Sequence, residues 1–146
     1  MQRLMTLIIV LFGLSAASVG AAEPLPAVTV YKSAYCGCCE KWVEHLRRSG
    51  FRVEAHNVAD VSAVRQRLGM PTQYASCHSA KVGRYVIEGH VPAADIKRLL
   101  REQPSAIGLA VPSMPPGSPG MESDKPVPYD TLLVDRNGTY RIYSRH

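Results

Sequence analysis

The chain has 146 residues, a formal net charge of +5 and 46% hydrophobic residues. A chain of this length builds a single domain with a modest core. Its basic residues are scattered among acids, and no basic run is longer than the pair Arg47-Arg48. Because a nucleic-acid binder concentrates its basic residues on one stripe, this distribution argues against nucleic acid as a partner.

The first 22 residues have the pattern of a secretory signal peptide. Arg3 supplies a positive start, Leu4 to Leu14 form a short apolar run, and Gly20-Ala21-Ala22 offers small residues for cleavage. The apolar run is short for a membrane span, and small or polar residues interrupt the segment after it. We therefore expect residues 1–22 to be removed, which leaves a single exported, periplasmic domain over residues 23–146 with no membrane span.

The predicted elements after the signal follow the order βαβαββα. They are a strand over Ala27–Lys32, a helix over Cys38–Arg48, a strand over Phe51–Ala55, a helix over Val61–Leu68, strands over Tyr74–His78 and Arg84–Ile87, and a helix from Pro92 to near Pro104. This α/β order resembles the thioredoxin-like arrangement, in which a redox or ligand motif lies at the N-terminus of the first helix. Pro71 falls where thioredoxin-like proteins carry a cis proline, so we predict a cis bond there, with an ordinary strand-entry turn as the alternative.

The region from Pro104 to Pro128 contains seven of the chain's 11 prolines, a composition typical of a disordered linker. Apolar residues nevertheless recur through it, so we expect a long ordered loop packed over the domain. The chain ends in a predicted β-hairpin, with Asn137-Gly138 as a type I′ turn between strands over Thr131–Val134 and Tyr140–Tyr143.

Cys36-Gly37-Cys38-Cys39, the cysteine tetrad, places three sulfurs within four residues at the predicted start of the first helix. It contains Cys-x-Cys, which suits a soft metal, and Cys-x-x-Cys, which suits a redox dithiol. In an exported chain four cysteines most often form two disulfides. Adjacent cysteines do not bridge easily, however, and structural bridges usually tie distant segments. We expect at least one tetrad thiol to stay free or metal-bound, with a single bridge to Cys77 as an alternative in the metal-free state.

The metal that best suits these residues is copper. The N-terminus of a helix favours thiolates through its free N–H groups and its dipole. Thiolates, thioethers and imidazoles together select Cu(I), with zinc as the main competitor. Thiolates so close together also bridge ions, which allows a copper–sulfur cluster as well as a single site.

Further candidate ligands lie outside the tetrad. Neighbours on a strand point to opposite faces, so if Cys77 faces the tetrad, His78 is expected to turn away unless the strand ends there. Its alternatives are ligation and a supporting or surface role. His90 follows a strand and is either a ligand or a polar turn residue. Met114 and Met121 flank a Pro/Gly-rich turn and are either Cu(I) ligands or packing residues. The other assignments are surface positions for His45, His56 and His146 and a core position for Met70.

Several motifs spread between Val28 and Tyr143 are specific when taken together. They are Cys36-Gly37-Cys38-Cys39, Ser76-Cys77-His78, Ile87-Glu88-Gly89-His90-Val91-Pro92, Gly108-Leu109-Ala110-Val111-Pro112, Met114-Pro115 and Gly117-Ser118-Pro119-Gly120-Met121-Glu122. They resemble the exported CopG-type copper-resistance family of small periplasmic metal-binding proteins. The resemblance implies a thioredoxin-like fold adapted to copper, four cysteine ligands, and His90 and the two loop methionines as candidate ligands. Ser113 departs from the expected glycine, so we expect a turn with positive φ to be lost there.

Copper binding for resistance or homeostasis is the leading hypothesis, with periplasmic copper chaperones or efflux components as partners. The alternative is an enzyme, a thiol–disulfide oxidoreductase that uses Cys36 and Cys39 and in which Cys38 is inert. A third hypothesis joins the two, because a cluster that exchanges electrons would interconvert Cu(II) and Cu(I). A structural zinc site is a weaker hypothesis, since such sites usually draw on two separated ligand pairs.

Overall fold

Seven strands and three α-helices make up the described part of the chain, residues 24–146, in the computed structural model. The elements are β1 (Val28–Lys32), α1 (Gly37–Arg48), β2 (Val53–Asn57), α2 (Val61–Leu68), β3 (His78–Val82), β4 (Tyr85–Glu88), α3 (Ala93–Glu102), β5 (Ala106–Ala110), β6 (Asp130–Asp135) and β7 (Tyr140–Arg145). The first seven follow the predicted βαβαββα order, and the predicted hairpin forms β6 and β7. The predicted signal peptide lies outside the described residues. Between residues 24 and 146 no helix has the length and apolar character needed to cross a membrane.

All seven strands form one mixed sheet in the order β2-β1-β3-β4-β5-β6-β7. β1 pairs in parallel with β2, β4 pairs in parallel with β5, and the remaining pairs are antiparallel. The carboxyl ends of β1, β4 and β5 therefore lie at the same edge as the amino end of β3. We call this the site edge, because the segments that carry the cysteines and His90 all leave the sheet there.

Apolar side chains pack on both faces of the sheet. The larger cluster joins the helix residues Trp42, Leu46, Ile96 and Leu99 to strand residues such as Ile87. The smaller cluster contains Met70, Tyr74, Val86, Ala110 and Val134. Successive strand residues such as Val86 and Ile87 belong to different clusters, as the alternation of side chains along a strand requires. Met70 lies in the core, as predicted, and is 2% exposed.

The third strand starts later than predicted. Residues Thr72–Tyr74 form a 3-10 turn, with the Tyr74 N–H donating to the Pro71 carbonyl, and β3 begins only at His78. The buried Tyr74 ring reaches the smaller cluster from that turn rather than from a strand. All peptide bonds in the described residues are trans, so the prediction of a cis bond at Pro71 was wrong.

Two further predictions need correction. Residues Ala106–Ala110 were assigned to a loop but form β5, an interior strand between β4 and β6. The turn between β6 and β7 has four residues, and only Gly138 among them has a positive φ, +82°. A type I′ turn needs positive φ at both central residues, so that assignment was wrong, although the hairpin itself is present.

Candidate metal centre

The cysteine tetrad lies at the N-terminus of α1, at the site edge. Cys36 is the N-cap residue, and its Sγ accepts a hydrogen bond from the Cys39 N–H at 3.3 Å. Cys39 is fully buried against the core, because it lies on the same helix face as Trp42, Val43 and Leu46. Cys36 and Cys38 are partly exposed at the helix end. The helix thus turns one sulfur inward and leaves two at the rim.

Cys77 brings the fourth sulfur from the amino end of β3. Its Sγ lies 3.4 Å from that of Cys39 and 4.0 Å from that of Cys38, and the Cys36 and Cys38 sulfurs are 3.5 Å apart. All four Sγ atoms lie within 4.8 Å of one another. Cys36 and Cys39 are joined in a disulfide, and Cys38 and Cys77 carry free thiols. The bridge is therefore within the tetrad rather than between the tetrad and Cys77.

Two imidazoles flank the Cys77 sulfur. His90 Nε2 lies 3.0 Å from it and His78 Nδ1 lies 3.4 Å from it. The three ligand atoms form a second group within 4.8 Å that shares Cys77 with the cysteine group. His78 was expected to turn away from the tetrad, but that expectation was wrong because Cys77 precedes β3 and the strict alternation of a strand does not apply to it.

His78 is buried beside the indole of Trp42, with the ring centroids 4.3 Å apart. Its Nε2 is the single buried side-chain nitrogen or oxygen without a hydrogen-bond partner in the described residues. Burial lowers the pKa of His78 to about 3, and the neighbouring His90 adds to the shift. Burial also lowers the pKa of His90. Both rings are therefore neutral at pH 7, the form in which imidazole binds metal ions.

Burial, and then the nearby Cys38 thiol, raise the pKa of the Cys77 thiol to about 12. Cys77 is therefore protonated in the metal-free protein at pH 7. A metal ion that binds its sulfur must displace this proton, so binding releases protons and becomes tighter as the pH rises.

The orientation of His90 is fixed by the loop after β5. Its Nδ1 lies 2.8 Å from the Pro119 carbonyl oxygen, which only accepts hydrogen bonds, so Nδ1 carries the hydrogen. The Nε2 lone pair then faces Cys77. Gly89, with φ +72°, makes this turn feasible, because a Cβ there would lie 2.5 Å from the Ser76 hydroxyl and from the Val111 carbonyl.

The Pro/Gly-rich loop, residues 111–129, leaves β5 at the site edge and packs against α1. A Cβ on Gly120 would lie 2.7 Å from the Cys38 carbonyl oxygen, so the loop backbone sits directly on the helix that carries the tetrad. Ser113 keeps a positive φ of +62°, and the expected loss of that turn was wrong. Met114 is 45% exposed and Met121 is half-buried next to Gly120.

Two histidines predicted to lie on the surface are tied into the fold. The half-buried His45 accepts a hydrogen bond at Nε2 from the Ala93 N–H, the first residue of α3. His146 is exposed, as predicted, but it also pairs with Asp95 at 2.9 Å, which fastens the end of β7 to α3. Neither partner is near in sequence, so no local pattern reveals these contacts. His56 is exposed, as predicted.

A buried ion pair beside the centre was missed by the sequence analysis. Glu88 is fully buried at the end of β4, and its Oε1 accepts a hydrogen bond from Arg65 Nε at 2.8 Å. The available signal was an acidic residue that closes the apolar run Tyr85-Val86-Ile87, since a buried carboxylate requires a partner.

Comparison with known proteins extends over nearly the whole described chain. A family model described as a protein of unknown function, DUF411, matches residues 74–121. The solved structure titled copper resistance protein copG, Form 2, is 46% identical, covers 85% of this chain and 99% of its own, and superposes with a TM-score of 0.80. Form 1 is 44% identical, with coverage of 84% and 98% and a TM-score of 0.79. The chain belongs to the CopG family of copper resistance proteins. No curated protein matches it.

Membership of the CopG family confirms the resemblance inferred from the motifs. The matched DUF411 segment contains Cys77, His90, Met114 and Met121, whereas the tetrad lies before it. The two CopG structures cover a larger share of the chain, 85% and 84%. This protein therefore has the mixed α/β fold of the CopG structures and a cysteine cluster able to bind a metal ion.

Proposed function

We propose that this protein is an exported copper-binding protein that holds Cu(I) in a cysteine-rich site and serves copper resistance. The observation that carries the proposal is the meeting of four cysteine sulfurs within 4.8 Å, from Cys36, Cys38, Cys39 and Cys77. Sulfur donors with adjacent neutral imidazoles favour soft Cu(I) over hard cations such as Mg²⁺ or Ca²⁺. The titles of the related structures, which name copper resistance, support the same metal.

The arrangement favours more than one copper ion. Four thiolates exceed the donors that one two- or three-coordinate Cu(I) uses, and sulfurs this close can bridge neighbouring ions. The second group, Cys77, His78 and His90, supplies two nitrogen donors and shares one sulfur with the first. We therefore assign Cys77 as the bridge between a sulfur-only side and a mixed side of a small copper–sulfur cluster.

Met114 and Met121 are proposed as additional soft ligands on the loop that covers the centre. Gly120 of the loop lies against the α1 backbone, and the Pro119 carbonyl is bonded to His90, so the loop next to Met121 is held against the segments that carry the cysteines and His90. The exposure of Met114, 45%, suits a thioether that meets copper as it enters or leaves the site. A closed loop would also shield the thiolates from oxidants.

The proposal also includes a thioredoxin-like fold and a periplasmic location. The order β2-β1-β3-β4, with one parallel and two antiparallel pairs and α1 directly after β1, supports a thioredoxin-like core. The domain over residues 23–146 would follow a cleaved signal over residues 1–22 and act in the periplasm. Copper chaperones or efflux components are the partners that sequestration or delivery of copper requires.

The second candidate function is thiol–disulfide oxidoreductase activity by Cys36 and Cys39. Their disulfide at the N-terminus of α1 favours it. Against it, Cys38 lies 3.5 Å from the Cys36 sulfur, so a third thiol competes for the bridge by exchange. An activity that joins both candidates is the interconversion of Cu(II) and Cu(I) at the centre.

Metal analysis of protein purified from the periplasm of copper-fed cells, with thiol counting on the same sample, tests the proposal. We expect bound copper and four cysteines that are all reduced and bind the metal, with no disulfide. Metal-free protein with one disulfide and two thiols would contradict it and favour the oxidoreductase. Cys38→Ser separates the two functions further, because it removes a ligand but leaves Cys36 and Cys39 able to pair. Intact copper binding with increased disulfide reductase activity in that variant would argue for the enzyme.

A further inference from the structure

Ser76, the residue before Cys77, is held by side-chain hydrogen bonds to both its backbone N–H and its backbone carbonyl. The Ser76 N–H donates to Glu88 Oε1 at 2.8 Å, and the Ser76 carbonyl accepts from Arg65 Nη2 at 2.8 Å. Arg65 and Glu88 are joined to each other by their buried ion pair. We call this closed set of contacts between Arg65, Ser76 and Glu88 the Ser76 clamp.

The ion pair of the clamp is almost completely buried. Glu88 is fully buried and Arg65 is 5% exposed. Ser79 also donates a hydrogen bond from Oγ to Glu88 Oε2, which satisfies the second carboxylate oxygen. Apolar residues of similar volume often match or exceed the stability of a buried ion pair, so stability alone does not account for it. Its directed hydrogen bonds do fix in space the two peptide groups on either side of the Ser76 Cα, the second of which leads into Cys77.

These two peptide groups matter because Cys77 has no regular strand to hold it. The ladder of β3 begins at His78, one residue later. The clamp joins three elements that surround the centre, since Arg65 comes from α2, Glu88 ends β4, and Ser76 leads into β3. Glu88 is also two residues before His90, so the same rigid segment carries the imidazole next to Cys77.

We propose that Arg65 and Glu88 are positioning residues for Cys77, which hold its sulfur in reach of both the tetrad and His90. This inference rests on the proposed function, because positioning matters only if Cys77 binds copper. The two residues act through the Ser76 backbone N–H and carbonyl, and their assigned contacts are to neither the sulfurs nor a metal ion.

The clamp also connects the centre to the loop. The Ser76 hydroxyl donates to the Ser113 carbonyl, and the Ser113 N–H donates to the Ala75 carbonyl at 3.0 Å. Ser113 precedes Met114, so one short segment positions Cys77 on one side and the start of the loop on the other. The positive φ of Ser113 belongs to this junction.

The test replaces the ion pair by apolar residues, in the double variant Arg65→Met, Glu88→Leu. Two readouts on reduced protein are compared with wild type: the alkylation rate of Cys77 relative to Cys38 without metal, followed by mass spectrometry, and Cu(I) retention against a competing chelator. We expect Cys77 alkylation to rise and Cu(I) retention to fall, each on the order of tenfold, as for other residues that orient metal ligands. Ser79→Ala is the matched control, because it removes a bond to Glu88 but leaves both contacts to Ser76.

The second variant, Arg65→Lys, keeps a charge beside Glu88 but cannot bond Glu88 and the Ser76 carbonyl in the same forked way. It decides the question if the double variant does not fold, and we expect the same direction of change at smaller size. A folded variant of either kind that has the same Cys77 alkylation rate and Cu(I) retention as wild type would overturn the inference. If wild-type protein binds no copper, the proposed function fails, whereas the alkylation ratio still reports on the clamp.

Discussion

Replacing Gly120 by alanine tests how the loop is held over the centre. The new Cβ would lie 2.7 Å from the Cys38 carbonyl oxygen and 2.9 Å from the Trp42 nitrogen. Both are backbone atoms inside α1 and cannot move aside without disturbing the helix. Gly120 also has φ +86°, a conformation that costs an L-residue about 1–2 kcal/mol.

The estimated energies favour a loop that detaches from α1 over a loop that stays in place with a strained backbone. Keeping the loop in place would add an overpacking cost of about 1–3 kcal/mol to the backbone cost. Releasing it gives up the hydrogen bond from His90 to the Pro119 carbonyl, worth about 1 kcal/mol, together with the local packing. We therefore expect the Gly120→Ala loop to detach from α1 and leave the sulfurs more accessible.

The assay is alkylation of the reduced, metal-free protein together with Cu(I) competition. We expect faster alkylation of the cysteines and weaker Cu(I) retention, about tenfold for the latter because His90 loses the group that orients it. Gly138→Ala is the matched control, since its φ is +82° but the nearest atom to a new Cβ is 3.7 Å away, on Pro71. Equal alkylation rates, copper retention and melting temperatures in the two variants would show that the loop does not detach from α1 in Gly120→Ala.

Two further predictions address the loop sulfurs and the fold. The double variant Met114→Leu, Met121→Leu keeps the side-chain volume but loses both thioethers. Because the loop is proposed to bind copper, its Cu(I) affinity should fall and air oxidation of its thiols should be faster. Unchanged values for both would mean that these methionines only pack. His45→Leu removes the acceptor for the Ala93 N–H and should cost metal-free protein about 1 kcal/mol in the free energy of unfolding at pH 7.5. Burial, and then Arg48, lower the pKa of His45 below its ordinary 6.5, so on acidification the unfolded chain takes up the proton first. The stability of the wild type therefore falls as the pH drops through 6.5. Since His45→Leu lacks this proton site, the cost of the substitution, measured by urea titration, should shrink at lower pH. A cost that grows on acidification would contradict the assigned contact.

The sequence predicts much of the fold, because periodicity and capping act locally. The apolar stripe with Trp42 and Leu46 defines α1, and Gly69 with φ +80° ends α2 where expected. β5 escaped prediction since it is a buried strand rich in small residues without alternation. Gly108 at its centre lies so close to the Val86 backbone that a side chain would overlap it, and such proximity leaves no trace in local sequence.

The candidate site, like the fold, could be predicted only in part from the sequence. The spacing of the tetrad predicts three sulfurs at one helix end, and the structure brings Cys77 and His90 to them. The approach of His78 depends on where β3 begins, which the position of Tyr74 in a 3-10 turn decides. The Ser76 clamp joins residues 23 apart in the chain, so only the folded arrangement reveals it.

The central claim is that four cysteines form one copper site, and Cu(I) stoichiometry measures it most directly. Reduced wild-type protein and Cys77→Ser would be titrated with Cu(I) under a competing chelator, in the absence of oxygen. We expect more than one tightly held Cu(I) per wild-type chain and a lower number in Cys77→Ser, because the sulfur shared by the two ligand groups is gone. Saturation at a single ion, unchanged in Cys77→Ser, would contradict it.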